Sequence, residues 1–220
     1  MRAAASRPAA ILFDCDGVLA DSEALAAMVV AEELTERGWP VSPEECQHIF
    51  LGRAVPDMMP IIEQRFGPVP DDWPARMSRR LTERMARDVV PVPGAKAAVA
   101  ALRAAGMTLA CASNSSRAEL SAKLGRLDLA AAFEGRVFSF EDVDRPKPYP
   151  DIYRAAALSC GAAPEDCVVV EDSLPGIRAG RAAGCRVLAL VWDMPEAMLR
   201  AQGAEPFRSM AELPALLGVA

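Results

Sequence analysis

Short apolar runs that end in polar clusters recur along this chain, and stretches of helical periodicity separate them. Ala9-Ala10-Ile11-Leu12-Phe13 reads as a buried parallel strand and gives way at once to Asp14-Cys15-Asp16-Gly17. The design repeats at residues 107–112 before Ser113-Asn114, at 137–140 before Glu141-Asp142, at 167–170 before Glu171-Asp172, and at 186–191. Helices are predicted between these five strands over residues 94–105, 149–160 and 176–183, each stopped by a glycine (Gly106, Gly161, Gly184). Strands alternating with helices predict an α/β fold in which helices cover both faces of a parallel sheet. Ligands of such sheets bind beyond the carboxyl ends of the strands, which is where the polar clusters fall.

From about residue 21 to residue 88 the rhythm changes: helix starts recur, but no buried strand does. Ser42-Pro43-Glu44-Glu45 supplies an N-cap, a proline at the first helical position and an acid at the third, and Val55-Pro56 and Trp73-Pro74 mark further starts. Met59, Ile62 and Phe66 fall on one predicted apolar face, and Met77, Leu81 and Met85 on another. Arg76, Arg79, Arg80, Arg84 and Arg87 lie mostly elsewhere and read as a solvated face. The stiff connector Val89-Val90-Pro91-Val92-Pro93-Gly94 returns the chain to the sheet. The expected division is therefore a core of residues 1–20 and 91–220 with a helical insert over 21–90, hinged near Ala20-Asp21 and at 90–93. A capped helix from Ser209 through Glu212 to Leu217 is expected at the end.

Of the 220 residues 52% are hydrophobic, enough for one ordinary core with a smaller appended one. The net charge of -6 argues against a nucleic-acid partner, since that affinity comes largely from Lys and Arg neutralising phosphates. Six cysteines without a C-x-x-C pair indicate neither a zinc knuckle nor a disulfide framework. No apolar run has membrane-spanning length, and Asp14 and Asp16 interrupt the first one too early for a signal peptide. The expectation is a cytoplasmic monomer with no membrane partner. The triplet Asn114-Ser115-Ser116 matches a glycosylation site by pattern only.

Asp14 and Asp16 stand two residues apart at a strand end, where they repel one another unless a cation or a shared proton compensates. Glu171-Asp172 closes a second strand in the same way, so four carboxylates converge on one rim and suit a hard, oxygen-seeking ion such as Mg²⁺. A phosphate arriving beside so much negative charge needs donors as well as a metal. Ser113, Asn114 and Lys147 supply them, the last inside Arg145-Pro146-Lys147-Pro148-Tyr149-Pro150, whose prolines restrict the backbone.

Asp14-Cys15-Asp16-Gly17-Val18-Leu19, then Ser113, then Lys147-Pro148, then Glu171-Asp172-Ser173 with Pro175-Gly176, resembles in order and spacing the four motifs of the haloacid dehalogenase-like superfamily. The likeness spans nearly the whole chain, and the helical insert is similar to the C1-type cap of the beta-phosphoglucomutase and sugar-phosphatase branch. It implies a Rossmann-like core, and Mg²⁺ held by Asp14, Asp172, the Asp16 carbonyl and, directly or through water, Glu171. It also implies Asp14 as nucleophile, Asp16 as acid and then base, and Ser113 and Lys147 on the transferring phosphoryl group. A cis Lys147-Pro148 bond is expected from the same likeness. His48 has no part in that scheme. Asp16 and Glu171-Asp172 favour phosphoryl chemistry over dehalogenation. Leu51, Val55 and Ala26 stand where the branch's mutases are expected to carry a basic pair and a histidine, which favours hydrolase over mutase. Asn114, Arg53 and Glu23, with Ser22 nearby, are candidates for contacting the substrate, and a sugar or sugar-acid phosphate is expected ahead of phosphoglycolate.

Overall fold

The computed structural model describes residues 7–50 and 55–219. All four residues of β1 (Ala10–Phe13) are buried, as in a strand covered on both faces. β2 (Ala20–Asp21) follows, then α1 (Glu23–Glu36), α2 (Pro43–Phe50), α3 (Val55–Phe66), α4 (Trp73–Asp88) and β3 (Val90–Pro91). The chain then runs through α5 (Ala95–Ala104), β4 (Thr108–Ala112), α6 (Arg117–Arg126), β5 (Val137–Phe138), α7 (Asp151–Ser159) and β6 (Cys167–Glu171). It ends with α8 (Leu174–Ala183), β7 (Arg186–Leu190), α9 (Glu196–Ala201), β8 (Glu205–Phe207) and α10 (Leu213–Leu216).

Six strands form one sheet in the order β5-β4-β1-β6-β7-β8, and every pairing is parallel. Because side chains alternate along a strand, Ile11, Phe13, Leu109, Cys111, Val168 and Val170 join one hydrophobic layer, under Val99, Leu102, Leu120 and Leu124 of α5 and α6. Leu12, Ala110, Ala112 and Val169 join the opposite layer, under Ile152, Tyr153 and Ile177 of α7 and α8. Phe13 lies level with Cys111 on one side and Val170 on the other, so the polar residues following β1, β4 and β6 emerge together on one rim.

The helices α1 to α4 enclose a hydrophobic cluster of their own, including Val29, Leu34, Phe50, Ile62, Trp73, Met77 and Leu81. The chain enters and leaves them through the antiparallel pair of β2 and β3. Ahead of α2 the capping box forms: the Glu45 amide donates to Ser42 Oγ at 3.1 Å, and the Ser42 amide donates to Glu45 Oε2 at 2.9 Å. Among the described residues of α3, Val55, Met58 and Ile62 are buried, while Phe66 is 40% exposed with its ring 5.7 Å from that of Trp39. The predicted face holds at Ile62 and at Met59, which packs partly buried against the cluster, and departs at Phe66, which at the helix end covers Trp39. Arg80 and Arg84 also depart from a purely solvated face, since both pair with α1, Arg80 with Glu32, Glu33 and Glu36 and Arg84 with Glu32.

The sheet holds one strand more than the five expected. β8 contains a proline and lies at the sheet edge, where a missing amide costs no ladder bond. The third predicted strand stops at Phe138, because Ser139 caps a 3₁₀ turn over Phe140–Asp142. α6 was not expected and is capped by Ser116, whose hydroxyl accepts from the Glu119 amide at 3.3 Å. Among the described residues no helix is long and apolar enough to cross a membrane. All six cysteines are free, and Cys160 alone is not fully buried.

Candidate active site

β1 and β6 deliver Asp14 and Glu171-Asp172 to the same rim. One carboxylate oxygen from each of Asp14, Glu171 and Asp172 lies within 4.8 Å of the others. Lys147, buried and placed by the loop after β5, donates from Nζ to Asp14 Oδ1 at 2.6 Å and to Glu171 Oε1 at 2.7 Å. Its ammonium also stands 4.8 Å over the Tyr153 ring. The Lys147-Pro148 peptide is cis, as expected. Burial opposes the charge of this lysine, but Asp14 and Glu171 hold its pKa well above the usual lysine value.

One ammonium does not neutralise three carboxylates. Burial, opposed by Lys147 and reinforced by Glu171 and Asp16, pushes the Asp14 carboxyl up to about 8. Burial, then the charges of Glu171 and Asp14, pushes Asp172 well above the carboxylate range. Two carboxyls raised together by desolvation and mutual repulsion form the donor set that a hard divalent cation relieves, so the residues present fit such an ion. Glu171 differs: burial works against its charge, but Lys147 holds its carboxyl below the usual range. Its oxygens already accept from Lys147, from Tyr153 Oη at 2.8 Å, and from the Asp172 amide, Ser173 amide and Ser173 hydroxyl at 2.9–3.0 Å.

Asp16 turns to a different set of partners. Ser113 and Ser115 donate to its Oδ2 at 3.0 and 2.9 Å, while the Ser22 hydroxyl and Lys123 Nζ both donate to Oδ1. Burial would raise this carboxyl, but Lys123 and the hydroxyls hold it well below the usual range. Ser113, fully buried, thus spends its proton on Asp16 and accepts from the Ser115 amide at 3.0 Å. Asn114 is committed too, its amide receiving the Lys147 N–H at 3.0 Å and donating to the Lys147 carbonyl at 3.1 Å. That two-way clasp fixes the lysine backbone.

Glycines permit these close approaches. A Cβ on Gly17, whose φ is +68°, would lie 1.8 Å from Asp172 Oδ2, and one on Gly176 would lie 1.6 Å from Glu171 Oε1. The Gly17 carbonyl accepts from the Trp192 indole at 2.8 Å, which ties the loop after β7 to the loop after β1. Glu23 opens α1 on the same side, its carboxyl raised by burial and by the charge of Asp16. Arg53 lies outside the described residues. His48 sits in the last turn of α2, exposed.

Lys123, Ser115, Tyr153 and Trp192 were not foreseen from the sequence. Lys123 had a signal, because it shares a helical face with Leu120, Leu124 and Leu127, and a lysine on an apolar stripe needs an anion. Tyr153 had a weaker one, since buried phenols find polar partners. Trp192 follows a strand in an irregular loop and gave none.

The family model for haloacid dehalogenase-like hydrolases matches residues 8–184. A HAD family hydrolase from Deinococcus radiodurans R1, crystallised with bound phosphate and sodium, superposes with a TM-score of 0.81 at 35% identity, covering 97% of this chain and 98% of that one. The 6-phosphogluconate phosphatase of Escherichia coli is 27% identical over 96% of this chain and 95% of its own length. Protein SUPPRESSOR OF QUENCHING 1, chloroplastic, of Arabidopsis thaliana is 30% identical over 90% of this chain, which spans 19% of that longer protein. A model match across most of the chain, on a parallel sheet that brings those ordered motifs together at one rim, places this chain in the haloacid dehalogenase-like hydrolase family.

Proposed function

We propose that this chain is a Mg²⁺-dependent phosphatase acting on a small phosphorylated metabolite, a sugar or sugar-acid phosphate, through an aspartyl-phosphate on Asp14. The observation that carries the reading is Lys147, 2.6 Å from Asp14, beside a buried group of carboxylates that lacks enough positive charge. Asp14, Asp172 and the Asp16 carbonyl would hold the ion, whose chemistry is to offset the charge of phosphate and nucleophile together. Glu171, with its oxygens filled, is assigned to orienting Lys147 and the Asp172 backbone.

In the first step an Asp14 oxygen attacks phosphorus, the ester P–O bond breaks, and Asp16, which must take up a proton from solvent when Ser113 leaves it for the phosphate, gives that proton to the departing alkoxide. In the second, water attacks phosphorus and yields a proton to Asp16 while the P–O bond to Asp14 breaks, restoring both carboxyls. Lys147 and Ser113 would hold the equatorial phosphoryl oxygens, which requires Ser113 to leave Asp16 when phosphate arrives. Asn114 serves by clasping Lys147, and Glu23 and Arg53 are assigned to the distal end of the substrate. Residues 1–20 and 91–220 would act as the catalytic core, with 21–90 closing over it as a cap. The hydrolase reading is favoured over a mutase by apolar Ala26 and Val55 on the helical side. Free, mostly buried cysteines suit a reducing compartment such as the cytoplasm.

The test is phosphate release from p-nitrophenyl phosphate and from 6-phosphogluconate with Mg²⁺, with and without EDTA. Asp14→Asn should abolish turnover while the melting temperature stays near that of the wild type, since the amide is nearly isosteric but a poor nucleophile. Undiminished release by that variant would refute the nucleophile. Supplying beta-glucose 1-phosphate tests the mutase alternative, because glucose 6-phosphate as main product would reverse the ranking.

A further inference from the structure

Lys123 is the second buried lysine of the rim, and the mechanism above does not use it. It lies on α6 and is 1% exposed. Its three N–H donors have three partners: Asp16 Oδ1 at 2.5 Å, Glu119 Oε1 at 2.6 Å and Ser115 Oγ at 2.9 Å. Burying a lysine is costly unless its charge is paired and its donors are satisfied, and here both conditions are met by residues around one carboxylate. A lysine serving fold stability alone would need only Glu119, one helical turn away.

We infer that Lys123 is the positioning residue for Asp16, fixing which carboxylate oxygen faces the phosphoryl site. Lys123 pins Oδ1, and Ser22 adds a second donor to the same atom. Oδ2 is left to the hydroxyls of Ser113 and Ser115, neutral groups able to turn, of which Ser113 is assigned to the phosphoryl group. The oxygen that exchanges protons with leaving group and water is therefore Oδ2. Ser115 holds the arrangement square by accepting from Lys123 while donating to Asp16. Glu119 keeps the buried ammonium paired whatever partner Asp16 takes. Removing the ammonium should let the Asp16 carboxylate rotate and lose the aim on which proton transfer depends.

This inference rests on the phosphatase reading, and leaving-group dependence separates the two. A misaimed general acid harms expulsion of a poor leaving group far more than that of a good one, whereas general structural damage lowers both alike. The measurement is kcat/KM with Mg²⁺ for p-nitrophenyl phosphate and phenyl phosphate, which covers steps through phosphoryl transfer to Asp14. For Lys123→Met, a loss of about tenfold or more is expected on phenyl phosphate, with a clearly smaller loss on the nitrophenyl ester. In an Asp16→Asn background the same substitution should change either value by less than about twofold, because there is no carboxylate left to aim. Equal losses on both esters, or a Lys123→Met effect that persists undiminished beside Asp16→Asn, would overturn the inference.

Lys123→Arg guards against a variant that does not fold. It keeps the charge, but the larger head displaces Oδ1, so the same ester-selective loss is expected from a variant that still unfolds in one cooperative melt. A wild-type ratio of the two esters in that variant would count against positioning. No phosphate release from either ester by the wild-type protein would instead remove the phosphatase reading on which the inference stands.

Discussion

At Gly176 a hydrogen stands where any other residue would place a carbon 1.6 Å from Glu171 Oε1 and 1.9 Å from its Cδ. Glu171 cannot withdraw, because five donors fix it, among them Lys147 and Tyr153. Gly176→Ala should therefore displace Glu171 and, with it, Lys147. A stability loss of roughly 1–3 kcal/mol is expected from the overpacking, together with a fall in phosphate release larger than that loss of folded protein explains. Gly125 is the contrast, since it sits inside α6 with nothing within 4 Å of an added Cβ. Gly125→Ala should stabilise by about 0.5–1 kcal/mol and leave turnover unchanged. Thermal melts and phosphate release on the two variants check both statements, and a harmless Gly176→Ala would refute the packing argument. Residues of this kind were legible as motif members, but what they touch was not. Ser113 and Asn114 could be placed near the site by their position after a strand, yet their hydroxyl and amide are committed to Asp16 and Lys147 by contacts across 97 and 33 residues.

Between elements, polar contacts decide more than the apolar pattern discloses. Met77, Leu81 and Met85 face inward on α4 as their spacing requires, but the arginines beside them hold α4 to α1. Glu33 is the centre of that seam: it accepts from the indole of fully buried Trp73 at 2.9 Å, from Arg37 at 3.0 Å and from Arg80 at 2.9 Å. Glu36 pairs, among the described residues, with Arg80 and stands in solvent. Glu33→Ala should cost about 1–3 kcal/mol, because it strands a buried indole N–H, whereas Glu36→Ala should cost clearly less, since an exposed ion pair is screened by solvent. The urea midpoints of the two variants check the order, and equal shifts would refute it. Such a seam is invisible to periodicity, which reports the face turned inward and not the element that covers its edge. α6 was missed for a related reason: its apolar positions Leu120 and Leu124, with Leu127 at its C-cap, are interrupted by the inward-facing Lys123, so the stripe reads as polar until the anion it meets is known.

For the molecule as a whole, parallel strands and clustered acids were legible because buried strands are uniformly apolar and their ends abruptly polar. What sequence spacing does not give is charge balance, which depends on how deeply the rim is sealed. Without a cation, Asp14 rises from 3.8 to about 8 and Asp172 rises as well, chiefly through burial and then through neighbouring charges. Both carboxyls then hold protons more tightly folded than unfolded. Between about pH 4 and 8 the folded state consequently binds more protons than the unfolded one, so this contribution favours folding at acid pH and is lost as pH rises through that window. A divalent cation takes the place of those protons, binds only the ionised carboxyls, and stabilises in proportion to its occupancy of the folded state. Mg²⁺ should therefore raise the melting temperature little near pH 5 and substantially near pH 8. Asp172→Asn should abolish most of the pH 8 increment while raising the melting temperature of the Mg²⁺-free protein there. The readout is a thermal melt at each pH with Mg²⁺ and with EDTA, taken as the difference between the two, which cancels titrations elsewhere. An increment from Mg²⁺ that is as large at pH 5 as at pH 8, or one that survives Asp172→Asn, would show that the ion binds somewhere other than between these carboxylates.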